Sequence, residues 1–392
     1  MQGLEDDIES IADWRPFASR HVVVSSEIGA DAVAVEWSDG RISPFHFAWL
    51  RDNCPCVRCV HPLTREQVFE IVDAPADLTA ARTHRLAAGG LSVEWSDGHQ
   101  SRFEAGWLRA NAYDDASRAE RARPAPKRLW GAGLGGALPT YDHAELQADG
   151  SAFEDWLTAL DDVGLTLVRH APTHPGAVLD LARRIGCVRE TNFGVLFDVE
   201  SKPRPDSNAY TSINLPPHTD LPTRELQPGL QLLQCLVNET TGGDSVFVDG
   251  FAIAEAVRAA SPDDFAVLTE QAFSFWNKDE RSDYRRAAPI ITLDDAGEIV
   301  EVRYANFLRG PIDAPAAAMD GIYRAYRRFV MLTRDESFRV VRRLEPGDVW
   351  VFDNRRVLHA RTAFDPTIGR RWLQGCYVDR DELISRLRIV RR

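Results

Sequence analysis

The chain has 392 residues, 44% of them hydrophobic, and a formal net charge of −13. That length buries a large core and suits two domains, or one large and one small. The acidity excludes nucleic acid and anionic membrane surfaces as partners, and no apolar run approaches the roughly 18 residues of a membrane span. Since the N-terminus lacks the basic and apolar regions of a signal peptide, a cytoplasmic location is expected. Three of the six cysteines crowd into 54–59, a poor disulfide framework that suits reduced thiols.

Residues 33–51 recur as 91–109 at a constant offset, Trp37 and Trp95 differing by 95 − 37 = 58. Each copy alternates apolar and polar residues, turns at Ser-Asp-Gly and resumes toward an aromatic, the pattern of a β-hairpin leading into a helix or loop. One pair is too few for a solenoid, so it reads as a duplicated unit within a small β-rich domain spanning 1–113. Between the copies lies Cys54-Pro55-Cys56-Val57-Arg58-Cys59. Arg51, Asp52 and Arg58 make a buried apolar role for these thiols a poor fit. Three thiolates supply three corners of a structural zinc site, and the fourth must come from elsewhere. The repeat points to His99, which stands where the first copy has Arg41. His84 is the reserve, and His61 is cramped so close to Cys59.

Residues 114–140 have linker composition, charged and Ala-rich and then Pro- and Gly-rich. An amphipathic helix is expected over 143–160, a strand over 164–168 and a second helix over 176–186. Strands follow at 229–236, 245–248, 290–293, 349–352 and 374–378, with helices near 251–260 and 316–333. This pattern predicts a mainly β domain over 141–392, a double-sheet jelly roll (double-stranded β-helix) with flanking helices.

In that domain His218-Thr219-Asp220 sets a His and a carboxylate two apart on an extended strand, so both point to one face. A distant second His would complete the facial set of a non-haem Fe(II) site, and His359 in Leu358-His359-Ala360-Arg361 is the candidate. Alone, the triplet also describes many a histidine that merely neighbours an aspartate. The flanking Leu215-Pro216-Pro217 and Leu221-Pro222-Thr223 place it at a short strand edge, where open coordination positions can face a pocket. Thr241-Gly242-Gly243-Asp244-Ser245 sets a hydroxyl beside flexible backbone, suited to a carboxylate but locally a hairpin turn. Arg370-Arg371 offers a guanidinium for a carboxylate; without an iron site it would be a surface basic pair.

With these residues in hand, the chain resembles the TauD-like Fe(II)/2-oxoglutarate dioxygenases over nearly its whole length, and within them the branch acting on trimethylammonium compounds. The resemblance is carried by Trp49-Leu50-Arg51-Asp52-Asn53-Cys54-Pro55-Cys56, Trp95-Ser96-Asp97-Gly98-His99, Asn208-Ala209-Tyr210-Thr211, His218-Thr219-Asp220, Thr241-Gly242-Gly243-Asp244-Ser245, Phe352-Asp353-Asn354 and Ser385-Arg386-Leu387-Arg388-Ile389. It implies that His218, Asp220 and His359 bind Fe(II). It implies likewise that Arg371, assisted by Ser245, pairs with 2-oxoglutarate, and that Cys54, Cys56, Cys59 and His99 hold Zn(II). Phe193, Phe197, Tyr210 and Tyr377 would form an aromatic cage for the substrate's trimethylammonium, with Asn208 and Asn306 toward its carboxylate. Ring faces suit a cation that has no hydrogen to donate, although these aromatics taken alone would be read as core. The implied reaction is O2-dependent hydroxylation of γ-butyrobetaine at C3 to L-carnitine, and a homodimer is expected. The alternatives are another trimethylammonium substrate, such as trimethyllysine or a trimethylaminoalkyl phosphonate, or a non-catalytic trimethylammonium-binding protein. Leu221-Pro222-Thr223-Arg224 looks more like the butyrobetaine branch, and a complete iron-ligand set argues against a mere binder.

Overall fold

The computed structural model describes residues 17–121, 127–201 and 211–391. The chain forms two compact units, Met1–Ala125 and Pro126–Arg392.

In the first unit the duplicated sequence folds as two three-stranded antiparallel sheets. The first copy contains β1 (Val23–Ile28), β2 (Ala32–Trp37) and β3 (Ile42–His46), then helix α1 (Phe47–Asp52). The second contains β4 (Ala80–Arg85), β5 (Leu91–Trp95) and β6 (Gln100–Phe103), then α2 (Ala105–Asn111), and a further helix, α3 (Asp115–Arg121), follows. Alternation along β2 and β5 turns Val33, Val35, Trp37, Leu91, Val93 and Trp95 into one shared core. The hairpins turn on Gly40 and Gly98, whose φ of +80° and +85° favours glycine. Beyond the expected hairpins, β1 and β4 add an outer strand to each sheet. Both strands are largely exposed, so neither shows the alternation that would announce it.

The repeat holds for contacts as well as for letters. Trp37 Nε1 donates to Ser43 Oγ at 3.0 Å, and Trp95 Nε1 to Ser101 Oγ at 2.9 Å. Asn53 and Asn111 donate to the carbonyls of Trp49 and Trp107. Crossed ion pairs tie the copies together, Arg109 to Asp39 at 2.7 Å and Arg51 to Asp97 at 3.7 Å. Trp49 and Trp107 meet with ring centroids 5.5 Å apart.

The second unit is built on two sheets. In chain order its strands are β7 (Thr140–Asp142), β8 (Leu165–Arg169), β9 (Val188–Arg189), β10 (Phe197–Glu200), β11 (Leu215–His218), β12 (Leu230–Asn238), β13 (Ser245–Asp249), β14 (Phe273–Lys278), β15 (Asp283–Ala288), β16 (Ile291–Leu293), β17 (Ile299–Val302), β18 (Arg339–Arg342), β19 (Val349–Asp353), β20 (Val357–Arg361) and β21 (Arg371–Val378). Its helices are α4 (Ser151–Asp162), α5 (Ala177–Ile185), α6 (Gly250–Ala260), α7 (Pro262–Glu270), α8 (Met319–Arg334) and α9 (Arg380–Val390). The larger sheet runs β10-β21-β12-β19-β8-β7, with β9 against β21, and the smaller runs β11-β20-β13-β18. Between them Phe247 of the smaller sheet meets Trp350 and Phe352 of the larger, with centroids 4.6 and 5.3 Å away. Helices α4, α5 and α9 cover the outer face of the larger sheet, and α6, α7 and α8 that of the smaller. This is the expected jelly roll with flanking helices.

Two stretches differ from expectation. The helix expected over 143–160 is interrupted: a 3-10 turn at His143–Gln147, capped by Asp142, precedes α4, whose N-cap Gly150 is extended. Between them Asp149 is drawn out by Arg184 and Arg386, each at 2.7 Å. The stretch 114–140, read as linker, carries α3 and the buried Trp130, which donates from its indole to Val163 O and from its backbone to Asp249. Charge and glycine content concealed these anchors.

β21 matters most for the site. Its alternation turns Arg371, Leu373 and Tyr377 toward the interior between the sheets, while Cys376 and Val378 pack under the helices.

Candidate functional site

His218 ends β11, an edge strand, and pairs directly with His359 of β20. The two imidazoles therefore meet with centroids 4.1 Å apart. Asp220 follows two residues on, its Oδ1 lying 3.3 Å from His218 Nε2 and 3.6 Å from His359 Nε2. Its backbone is clipped by the Asn354 amide, and the Gln227 amide also donates to its carbonyl at 3.3 Å. Asn354 Oδ1 accepts from Asp220 N at 2.7 Å, and Asn354 Nδ2 donates to Asp220 O at 3.1 Å. Leu221 then adopts φ +52°, a strain of about 1 kcal/mol or more for a non-glycine residue, and the chain turns away directly after the carboxylate.

His218 Nδ1 lies 3.0 Å from Pro216 O, which places the proton on Nδ1 and leaves the Nε2 lone pair for a metal. The His359 imidazole is pushed down to about 3 by burial and then by His218, against the pull of Asp220. It therefore offers a lone pair at neutral pH. The three donor atoms lie within 4.8 Å of one another. Two imidazole nitrogens and one carboxylate oxygen on one side fit Fe(II) held facially with positions left open.

A cavity of about 610 Å³ is lined by these three residues and by Arg371, Ser245, Phe193, Phe197 and Tyr377. Arg371 is buried and donates to Gly243 O at 3.1 Å, while its Nε has no hydrogen bond among the described residues. Gly243 permits this approach, since a Cβ there would lie 2.9 Å from that Nε. Arg361, also buried, sits across from Ser245 in the β13–β20 ladder. Burial pushes both guanidiniums down to about 10, and for Arg361 the charge of Arg371 adds to the effect. Two cations crowded into a desolvated site select for an anion, and the orphaned nitrogen of Arg371 fits the carboxylate of 2-oxoglutarate. Of the basic pair only Arg371 enters the cavity, because Arg370 pairs with Glu200 at 2.8 Å on the surface. Arg361 was not singled out from sequence, though its two-residue spacing from His359 was the available signal.

The Phe197 and Tyr377 rings lie 5.0 Å apart. Gly375 makes this possible, since a Cβ there would fall 2.6 Å from Phe197 Cζ. The Tyr377 hydroxyl donates to Asp220 Oδ2 at 2.7 Å. Tyr210 and Asn208 lie outside the described residues. Asn306 is not among the residues that line the cavity, and its Oδ1 accepts from the Tyr326 hydroxyl at 2.7 Å. Lys278 and Arg309, which nothing local in the sequence marks, do line it.

In the first unit, His99 Nε2 lies 3.2 Å from Cys54 Sγ and 3.7 Å from the Sγ of both Cys56 and Cys59. These are edge lengths of a tetrahedron with metal bonds of about 2.0 to 2.3 Å, so the four buried donors fit Zn(II) with no position left over. The Cys56 carbonyl accepts from the N–H groups of Cys59 and Val60, and this tight turn gathers the thiols. The other histidines are engaged elsewhere: His84 pairs with Glu94 at 3.4 Å, and His61 Nδ1 accepts from the Leu63 and Thr64 amides. Zinc with three thiolates is net negative. Arg51, stacked 3.7 Å over the Phe69 ring and donating to Cys59 Sγ at 3.3 Å, offsets that charge.

Residues 121–377 match the profile described as taurine catabolism dioxygenase TauD, TfdA family, and residues 26–113 match that described as γ-butyrobetaine hydroxylase-like, N-terminal. The chain belongs to the TauD/TfdA dioxygenase family. Among the relatives of this dioxygenase, a γ-butyrobetaine dioxygenase of Pseudomonas sp. (strain AK-1) is 55% identical over 98% of this chain and 100% of its own. The human γ-butyrobetaine dioxygenase is 34% identical over 93% and 95%. A trimethyllysine dioxygenase of Meyerozyma guilliermondii is 29% identical over 94% and 96%. The cofactors of the TauD/TfdA dioxygenase are Fe(II) and 2-oxoglutarate, with Zn(II) in the N-terminal unit. Among the described residues no helix is long and apolar enough to cross a membrane.

Proposed function

We propose that this dioxygenase hydroxylates γ-butyrobetaine at C3 to give L-carnitine, succinate and CO2, and that it serves carnitine biosynthesis as a cytoplasmic homodimer. The observation that carries the reading is Tyr377, whose ring lines the aromatic wall while its hydroxyl reaches the iron ligand Asp220. In γ-butyrobetaine C3 is two bonds from the quaternary nitrogen, roughly 2.5 Å. A cage for that nitrogen must then adjoin the metal. A longer substrate whose reacting carbon lies farther from its ammonium would need a cage set back from it.

When bound, Fe(II) and 2-oxoglutarate supply the oxidising chemistry, 2-oxoglutarate losing CO2 to become succinate while one oxygen atom of O2 passes to C3. His218, His359 and Asp220 would hold the metal from one side. Arg371 would orient the 2-oxoglutarate carboxylate, with the Ser245 hydroxyl beside it. Phe193, Phe197 and Tyr377, together with Tyr210, would face the trimethylammonium and fix its distance from the metal. Leu215, Leu221, Leu233 and Leu373 add apolar lining to the cavity.

The substrate is tested by competition in one reaction between γ-butyrobetaine and 5,5-dimethylhexanoate, its tert-butyl isostere. The two share volume and carboxylate and differ in the cationic charge. At roughly 1 kcal/mol from each of two or three rings, the charged compound should be preferred by about thirtyfold to somewhat over a hundredfold. Equal use would remove the cage and the substrate with it. Succinate release with trimethyllysine and a trimethylaminoalkyl phosphonate ranks the alternatives, and light scattering reads the dimer.

Arg371→Ala should raise the KM for 2-oxoglutarate by about tenfold to a hundredfold, the worth of a charged hydrogen bond, and leave that for γ-butyrobetaine within about twofold. Steady-state kinetics with each compound varied in turn decides this. Equal rises would show that the carboxylate site is misassigned.

A further inference from the structure

We infer that Tyr377 is a positioning residue for the iron ligand Asp220, and that its hydroxyl and its ring do separable work. The backbone and the carboxylate of Asp220 are held separately, Gln227 Nε2 also donating to the carbonyl at 3.3 Å. The Asn354 amide clips the backbone N–H and carbonyl, which sets the position of Cα but leaves the carboxylate free to turn about its own bonds. Tyr377 sets that turn. Its hydroxyl donates to Oδ2 at 2.7 Å, while Oδ1 is the atom lying 3.3 and 3.6 Å from the two histidine Nε2 atoms. One carboxylate oxygen is thereby committed to the phenol and the other to the metal.

Released from that bond, the carboxylate can swing aside, or it can chelate a metal through both oxygens and take a position that 2-oxoglutarate or O2 requires. The bond is charge-assisted and the tyrosine is 3% exposed, so water competes little for the phenol. The strand fixes the donor, with Gln231 and Arg189 paired on either side of Tyr377, and the Phe197 ring lies against it.

The role of the ring rests on the proposed substrate, whereas the role of the hydroxyl does not. Tyr377→Phe removes one oxygen and keeps the ring; Tyr377→Leu removes both. On the full-length, zinc-loaded protein, the Fe(II) dissociation constant is measured anaerobically by competition with a chromophoric chelator, without substrate or 2-oxoglutarate. The ratio of γ-butyrobetaine to its neutral isostere consumed is measured at saturating Fe(II). In Tyr377→Phe, Fe(II) binding should weaken by about tenfold or more, the usual cost of losing a partner to a metal ligand. The preference for the charged compound, the zinc content and the Tm should stay as in wild type, and Tyr377→Leu should lose both iron affinity and preference. Wild-type Fe(II) affinity in Tyr377→Phe overturns the inference, whether or not the Tm falls. So does a lost charge preference in that variant. If wild type itself shows no preference, the proposed substrate fails while the Fe(II) measurement still judges the hydroxyl.

Discussion

Asp220→Ala should abolish succinate release while leaving the fold in place. The carboxylate sits just beyond the end of β11 on the cavity wall, and truncating it removes no apolar core. The amide clip from Asn354 reaches only the backbone and survives the substitution. What is lost is the anionic donor of the iron set. The two imidazoles that remain bring no negative charge to hold a dication in the pocket. A bound metal supplies several kcal/mol of transition-state stabilisation, so turnover should fall by roughly three orders of magnitude or more. Circular dichroism and the Tm should match wild type. His218→Ala should behave likewise, because Nε2 is that residue's contribution and its Nδ1 bond is to a local carbonyl. Activity above a trace in either variant would mean that the iron is held by other residues.

Removing a zinc ligand should act on stability first. Dialysis against a chelator strong enough to strip iron should leave one zinc per chain, since a site closed by three thiolates and an imidazole releases its ion far more slowly than an open one. His99→Ala or Cys56→Ser should abolish that stoichiometry and destabilise the N-terminal unit. Without the ion, three buried thiols and the Arg51 guanidinium face one another with nothing to neutralise or join them. Structural zinc contributes about 10 to 16 kcal/mol in small zinc-finger peptides, and this unit depends on it less because Trp37, Trp95, Phe45 and Phe103 supply a core of their own. Loss of the unit's thermal transition, or a marked fall in its midpoint, is the expected reading. Full zinc content in His99→Ala would reassign the fourth corner.

What could be read without coordinates was whatever lies within a few residues along the chain. His218 and Asp220, two residues apart, meet although the strand ends at His218, the cysteines share one tight turn, and the repeat points to His99 by position. The remaining parts of the site depend on pairing across long separations. Asn354 grips Asp220 from 134 residues away, and nothing around it announces an amide clip. Arg361 and His359 alternate on β20, but only the register against β11 and β13 shows which way they point. In the β14–β15 hairpin, which brings Lys278 to the cavity, Phe273 and Phe275 alternate into the core, but β15 is so charged and exposed that it shows no such pattern. In α9 only Leu383 and Leu387 are buried, too few to mark a helical face in advance.

The duplicated N-terminal unit is closed by different chemistry in its two copies. Adding 58 to Cys54, Cys56 and Cys59 reaches Ala112, Asp114 and Ser117, and subtracting 58 from His99 reaches Arg41. There Arg41 donates to Ser117 Oγ at 3.2 Å and pairs with Glu120 at 2.7 Å, while Asp114 Oδ2 accepts from the Ser43 and Ser117 hydroxyls. A guanidinium, two hydroxyls and two carboxylates thus stand at the corner equivalent to the one where three thiols and an imidazole fit a metal ion. Burial would raise the Asp114 carboxyl, but the Ser117 amide, the two hydroxyls and Arg41 keep it below the usual range. Arg41 does the same for Glu120. Carboxyls lowered by folding stabilise above their unfolded range and lose that contribution as pH falls through their folded values. Each corner takes residues from both copies, His99 meeting the cysteine turn and Arg41 meeting Ser117 and Glu120, so chelators and thiol oxidants threaten one seam between the copies and acid the other. The Trp49–Trp107 contact depends on neither a metal nor a carboxylate, so it still joins the copies when either seam is lost.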